Sequence, residues 1–432
     1  MVQFRLTLAL AFILCFAVFA TARTCVADQS RLIYIHTDGS IDPPTAPIST
    51  VDNITYTLTG DIFNESIVIE RNNTVVDGAL HTIAGTWSSQ GNSGVQVSES
   101  SNVTIKDFMI REASIRINPY SSYVTIFENT ITDDVYTIGY SLTVTNAQNN
   151  TISKNSITDS GAGIFLYNSR GNRIFGNNII GNGAWGISIG YYSSNNTIYG
   201  NNIKNNFSGI ALDSSSNNNV VYHNNFANNY SQLGTPFGSA NFWDNGFEGN
   251  FWSDYTGTDS NQDGIGDTPY TIEANNTDHY PLMGPFQSFN VSAWNLGPSV
   301  FAEADVISNI SISTLNVYVW LTSPNQYIQS GQPFLALTLA PQYLTAGFCR
   351  MTLPNNILNT TNYTALVDLT PTSVKKLASN ETYTTLYLTF NGSALDGIMI
   401  IPEFPSFIVL PLFMIAASLA VVVCKRRDSA GA

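Results

Sequence analysis

Three carboxylates recur at one phase of the chain. Glu112, Asp133 and Asp159 each stand nine positions after Val103, Val124 and Asn150, which share one place in a repeating frame. If the frame stacks, the three lie about 5 Å apart on successive turns, and like charges that close need a cation, a raised pKa or a catalytic task. Two carboxylates about 5 Å or about 6.5–9.5 Å apart are the equipment of glycoside hydrolysis. A neighbouring column reads Ala113, Tyr140, Ala162, Trp185 and Ser208, in which Tyr140 and Trp185 offer flat faces to a sugar ring. The longer coil between 124 and 150 raises "DDVYTIGY" as a wall beside them. The same residues also have a plain structural reading, because acids are common at turns and aromatic rings pack under loops.

A second constellation is metal-like. "DSNQDGIGD", residues 259–267, sets oxygen side chains at Asp259, Asn261, Asp263 and Asp267, with Gly264 for the sharp turn. This spacing is that of the first half of a calcium loop of the EF-hand type, and the predicted cofactor is Ca²⁺ in a structural role. The terminal bidentate glutamate is missing, and Tyr270 stands in its place. An acidic turn without a metal is the competing reading.

The elements that must carry these residues are legible from asparagine. "NNTISKNSI", "GNRIFGNNII", "NNTIYGNNI" and "NNVVYHNNF" align on Asn150, Asn172, Asn196 and Asn219, at steps of 22, 24 and 23 residues. Asn155, Asn177, Asn201 and Asn224 keep the same phase, as do Ile152, Ile174, Ile198 and Val221. "GIFL", "GISI" and "GIAL" add a second strand to each period, alternating as a half-buried strand does. A period in the low twenties predicts a stacked repeat, here a parallel β-helix. Asparagines then stack in ladders and serve at corners, where they tolerate left-handed backbone. The coil phase extends less cleanly toward the N-terminus, so the helix is expected to run from about residue 50 to about 245, with the aromatic run "NFWDNGFEGNFWSDY" plugging the last coil.

The "NNxIxxNxI" coils resemble the NosD-type periplasmic copper-binding family of right-handed parallel β-helices. The resemblance covers about half the chain. It implies the fold, and it places the chain near a wider group that includes carbohydrate-binding proteins and sugar hydrolases. Its copper association does not carry over to these residues. His36, His81, His223 and His279 are dispersed, the methionines do not cluster, and no soft-ligand site is visible. Nor is there a Gly-His-Gly signature or an Arg/Lys cluster of the polysaccharide-lyase kind.

Composition narrows the function classes. The net charge is −14 in 432 residues, with no basic patch, which excludes a nucleic-acid partner. Residues 1–22 read as a signal peptide, with Arg5 ahead of "LTLALAFILCFAVFA". Only Cys25 and Cys349 remain outside that segment and the tail, too few for a disulfide framework. An apolar run from Ser406 to Cys424 is long enough for a transmembrane helix, and Lys425, Arg426 and Arg427 follow it, facing the cytoplasm. Pro402-Glu403-Phe404-Pro405 resembles the archaeal PEF-type sorting signal, which implies an archaeosortase-type processing enzyme and attachment to a lipid. Glycosylation acceptors such as Asn53, Asn102, Asn290 and Asn380 suit an external protein.

The expected fold is all-β. Residues 28–286 form a parallel β-helix with a C-terminal cap and the calcium loop. Residues 287–400 form an antiparallel β-sandwich-like domain, and 401–432 hold the anchor. In that sandwich, "TAGFCRMTLP" is one strand and Cys349 is packed apolar. The leading expectation is a cell-surface protein with a structural, adhesive or carbohydrate-binding role. The rival is a surface polysaccharide hydrolase or lyase acting through Glu112, Asp133 and Asp159. The third is a copper-accessory protein.

Overall fold

Every described element is a β-strand or a turn. The computed structural model describes residues 31–402, without 86–92, 133–138, 235–239, 274–275, 293–300, 320–332, 340–345, 359, 361, 369 and 392–396. The signal-like segment, the apolar run at 406–424 and Asp133 therefore lie outside the described residues. Among the described residues no helix is long and apolar enough to cross a membrane. The chain divides into two compact units, Met1–Arg173 with Asn177–Ser194, and Ile174–Gly176 with Asn195–Ala432.

In the first unit, the coils contribute strands to three sheets that run parallel apart from two antiparallel end strands, Ile41–Asp42 and Ile48–Thr50. One sheet stacks Arg31–Ile35, Glu65–Ile69, Ser93–Val97, Ser114–Ile117, Tyr140–Thr145, Ala162–Tyr167 and Trp185–Gly190. A second stacks Thr55–Leu58, Thr74–Asp77, Val103–Lys106, Thr125–Phe127 and Thr151–Ser153. The third runs from Ile62–Phe63 through Met109–Arg111 and Ser156–Thr158 to Asn178–Ile180. Parallel stacking starts earlier than the expected residue 50, at Arg31–Ile35. Ile33 and Ile35 there fill the core although no asparagine pair marks the coil. An end coil has a neighbour on one side only, so it needs no complete ladder.

The corners explain the asparagine pairs. At each corner one residue takes positive φ and the next turns its side chain inward. Asn149, Lys154 and Asp159 take the left-handed positions of one coil, at φ of 57°, 56° and 53°. Asn150, Asn155 and Ser160 follow them and are buried. Asn155 Oδ1 accepts both the backbone and amide N–H of Asn129, at 3.0 Å each, and Asn155 passes the same pair of bonds to Asn177 Oδ1 at 2.9 Å each. A buried amide is tolerated because each of its groups is paired. Between the ladders, Ile152, Ile157 and Ile164 are fully buried, each contributing about 2–3 kcal/mol.

The second unit repeats the plan with Thr197–Tyr199 on Val220–Tyr222, Asn202–Lys204 on Asn225–Ala227, and Ser208–Leu212 on Ser231–Gly234. Its last parallel strand is Phe251–Trp252. Trp243 and Trp252 are buried there, while Phe242 and Phe247 of the same aromatic run are exposed. Residues 286–402 then form two five-stranded antiparallel sheets. One includes Phe301–Ser308, Ala346–Pro354 and Tyr383–Asn391. The other includes Ile312–Val319, Pro333–Leu339 and Gly397–Pro402. Val306, Met351 and Leu386 from the first share one apolar core with Leu335, Leu337 and Ile400 from the second. Cys349 is buried in that core, and its thiol is pushed up to about 12 by burial.

Candidate functional site

The outer face of the first unit's longest sheet carries a row of aromatic rings. Strand alternation turns Ile164 and Leu166 inward, so Phe165 and Tyr167 face out. Register then aligns Gln96, Arg116, Thr143, Phe165 and Ser188 in one outward column. Tyr140 opens its strand opposite Ala162, and Trp185 opens the strand that follows. The Tyr140 and Phe165 rings stack with centroids 4.3 Å apart and planes 12° apart. Tyr140 and Trp185 lie 6.4 Å apart and 13° from parallel. Two coil spacings would separate them by about 9.6 Å, so the small Ala162 between them lets the rings lean together. Tyr167 packs on Tyr191 at 4.4 Å and extends the row sideways.

These rings are partly open to solvent. Trp185 is 36% exposed, Tyr191 is exposed, and Tyr140, Phe165 and Tyr167 are half-buried. Burial pushes the Tyr140 phenol up, and its hydrogen bond with Ser188 opposes that shift. Arg116 sits half-buried in the same face, its Nε donating to Ser114 Oγ at 3.3 Å. Under the row the coils approach closely at Gly163, where a Cβ would meet the Gly186 carbonyl at 2.3 Å. The sequence columns brought out Tyr140 and Trp185 but not Phe165, Tyr167 or Tyr191. The signal that could have found Phe165 and Tyr167 was the odd–even alternation of "GIFLY".

Glu112 and Asp159 occupy the same corner of their coils. The pairing of Arg111 with Thr132 and of Thr132 with Thr158 puts each at the residue after its strand. Both are exposed and left-handed, with φ of 48° and 53°. Gly181, Asn205 and Asn228 take positive φ at the matching corner of later coils. Left-handed backbone favours Gly, Asn and Asp, so the corner by itself accounts for a carboxylate at Asp159. Glutamate has no such preference, and Glu112 keeps its place in the column without that explanation.

The 259–267 loop closes on its own amides. Asp259 accepts the N–H of Asp263 and of Gly264 at 2.9 Å each, Asp263 accepts Ile265 N–H at 2.9 Å, and Asp267 accepts Ser260 N–H at 2.7 Å. Gln262 and Gly264 take positive φ in the turn. The carbonyls face outward to two cations. Lys375 Nζ donates to Asn261 O at 2.7 Å, and Arg350 Nη1 to Asp263 O at 2.7 Å. The donors are hard oxygens, as calcium requires. Among the described residues, however, no three acidic, histidine or cysteine side chains are gathered about one point.

Each histidine stands beside a different carboxylate: His36 by Glu70, His81 by Asp61, His223 by Glu248 and His279 by Asp244. The most buried of these pairs has a third member. Glu248 Oε2 meets His223 Nε2 at 2.7 Å, and its Oε1 accepts from Arg350 Nη2 at 2.6 Å. Burial pushes the Glu248 carboxyl up, but the His223 hydrogen bond and the Arg350 charge outweigh it and hold the group at about 2.

Residues 93–252 match the family model described as the right handed beta helix region. No curated protein sequence matches the chain. Among solved structures, it is similar to the enzymatically active domain of bacteriophage CBA120 tailspike protein 2. Identity there is 12% over 80% of this chain and 71% of that one, with a TM-score of 0.35. It is also similar to the periplasmic alginate epimerase AlgG, at 16% identity over 45% of this chain and 67% of that one, with a TM-score of 0.20. A tailspike protein double mutant of E. coli bacteriophage HK620 aligns at 9% identity over 82% of each chain, with a TM-score of 0.24. The stacked coils between Ser93 and Trp252 are those of a right-handed β-helix.

Proposed function

We propose that the protein is a cell-surface carbohydrate-binding β-helix whose ringed sheet face holds a polysaccharide. The observation that carries this reading is the outward-facing row in which Phe165 and Trp185 each lie within 13° of parallel to Tyr140. Tyr140 and Phe165 cover one face of each other, so the ring faces left over, with that of the 36% exposed Trp185, are the ones that can take up the C–H face of a pyranose, and the large area such rings bury makes them strong anchors. Arg116, Thr143 and Ser188 on the same face supply hydrogen-bonding groups for hydroxyls. Nothing in this arrangement demands bond cleavage. The signal-like start and the apolar, basic-flanked C-terminus support a position on the outer face of the plasma membrane, held by the tail or by a lipid that replaces it.

The 259–267 loop is the proposed calcium site, with Asp259, Asn261, Asp263 and Asp267 as its oxygen donors. Calcium there would rigidify the turn that Arg350 and Lys375 grip, a structural role remote from the ringed face in sequence.

A polysaccharide panel read for both retention and release of reducing or unsaturated ends tests the function. The expected result is retention without products, weakened about tenfold or more by Trp185→Ala. Product release that disappears in Asp159→Asn would instead establish the hydrolase or lyase. Unchanged retention in Trp185→Ala and Tyr140→Ala would remove the face from the account.

A further inference from the structure

We infer that the second unit holds a separate subsite for a neutral hexose residue, built from Phe207, Tyr230, Gln232, Ser253, Asp254 and Tyr270. It rests on the carbohydrate-binding reading but uses none of the residues of the ringed face. Phe207 and Tyr230 stack with centroids 5.1 Å apart and planes 14° apart. Tyr230 is 84% exposed, although a tyrosine is a large apolar group to leave in water. It immediately precedes Ser231–Gly234, the terminal strand of its sheet among the described residues. One face of the Tyr230 ring is therefore covered by Phe207, and no further described strand of that sheet follows to cover the other.

A shallow groove runs from Tyr230 along Gln232 to Ser253, Asp254 and Tyr270. Its polar groups are held in place. Gln232 Nε2 donates to Ser253 Oγ at 3.0 Å, and Gln232 Oε1 accepts from Asn229 at 2.9 Å. The Tyr270 hydroxyl donates to Asp254, lying 3.2 Å from each carboxylate oxygen. Tyr270 is itself braced by stacking on Trp252 at 4.5 Å. Asp254 is exposed and, as an acceptor with about four lone-pair positions, keeps capacity for hydroxyl donors. An open ring face beside a positioned carboxylate fits a sugar residue, with C–H groups on Tyr230 and hydroxyls on Asp254. Among the described residues the groove is lined by no lysine or arginine, and Asp254 would repel a uronate, so the matching class is neutral.

Calorimetric titration of the full-length protein with mannohexaose, cellohexaose and hexagalacturonate tests this. The variants are Tyr230→Ala, Asp254→Asn and Trp185→Ala. At least one neutral hexaose should bind. Tyr230→Ala should weaken one class of site about tenfold or more and Asp254→Asn about fivefold, with Tyr230→Trp retaining binding. Tyr230→Ala and Asp254→Asn both titrating like the parent, while Trp185→Ala loses binding, would overturn this subsite and leave the ringed face standing. Loss confined to Tyr230→Ala and Asp254→Asn would keep the subsite and overturn the ringed face. Hexagalacturonate bound more tightly than both neutral sugars would overturn the assigned class. No binding of any hexaose would overturn both sites.

Discussion

Asp278 terminates the ladder that reaches Asn250. Its Oδ2 accepts the Asn250 backbone N–H at 2.7 Å and lies 3.4 Å from the Asn250 amide nitrogen. The same oxygen accepts the Trp252 indole N–H at 2.8 Å. Two residues earlier, Asn276 Oδ1 accepts Asn241 N–H and the Trp243 indole N–H, at 3.0 Å each. One short strand, Asn276–Asp278, therefore closes two ladders and pins both buried tryptophans. An acceptor is what the end of an N–H-donating row requires.

Burial pushes the Asp278 carboxyl up to about 6, against hydrogen bonds from Trp252 and Asn250 that lower it. A carboxyl raised above its unfolded value of 3.8 takes up a proton on folding between those values. Its contribution is full below about 4 and is lost as pH rises through 6, a difference of about 3 kcal/mol. Urea unfolding of Asp278→Asn against the parent from pH 4 to 7.5 should show a flatter profile in the variant. Parallel profiles would mean that Asp278 does not titrate in this window. Asp305, also pushed up to about 6 by burial, acts in the same direction and remains in both proteins.

Glu248 has the opposite slope. Held at about 2 against an ordinary 4.5, it stabilises the fold above pH 4.5, and that contribution is lost as pH falls towards 2. Glu248→Gln leaves Arg350 and His223 without their buried partner and should cost about 3–5 kcal/mol near neutral pH. Thermal unfolding at pH 7 and pH 3 checks this. The gap between parent and variant should narrow at the lower pH.

The corner geometry makes a test of the acidic column possible. Glu112→Gly relieves a left-handed non-glycine residue and should be neutral or stabilise by up to about 1 kcal/mol. Asn155→Ala, one ladder position inside a corner, strips partners from buried amides and carbonyls and should cost about 2–4 kcal/mol. Denaturant midpoints of both variants decide the matter. A destabilised Glu112→Gly would assign that side chain a role the corner does not explain.

Calcium should raise the unfolding temperature, and a chelator should reverse the rise. Asp263→Ala should abolish the effect and also terbium luminescence excited through nearby tyrosines such as Tyr387, whose hydroxyl lies 3.4 Å from Asp259 Oδ2. A calcium-independent melting curve in the parent would leave the loop as a turn closed by its own amides.

By itself the sequence determined the coil. Asn150, Asn172, Asn196 and Asn219 recur at a steady step because parallel stacking gives equivalent residues equivalent surroundings, so one environment writes itself repeatedly. The buried isoleucines were readable for the same reason, and the strands of the C-terminal sheets from their alternation. Only the tertiary structure decided that in Asn149–Asn150, Asn195–Asn196 and Asn218–Asn219 the first asparagine takes the left-handed corner and the second enters the ladder, since composition treats them alike. It also decided the ringed face, because Tyr140, Phe165 and Trp185 meet across coils through the gap that Ala162 leaves. The ladder ends at Asn276 and Asp278, and the Glu248–Arg350 pair across 102 residues, are single non-local contacts. No period announces a contact made once, and that is where the fold had to be seen.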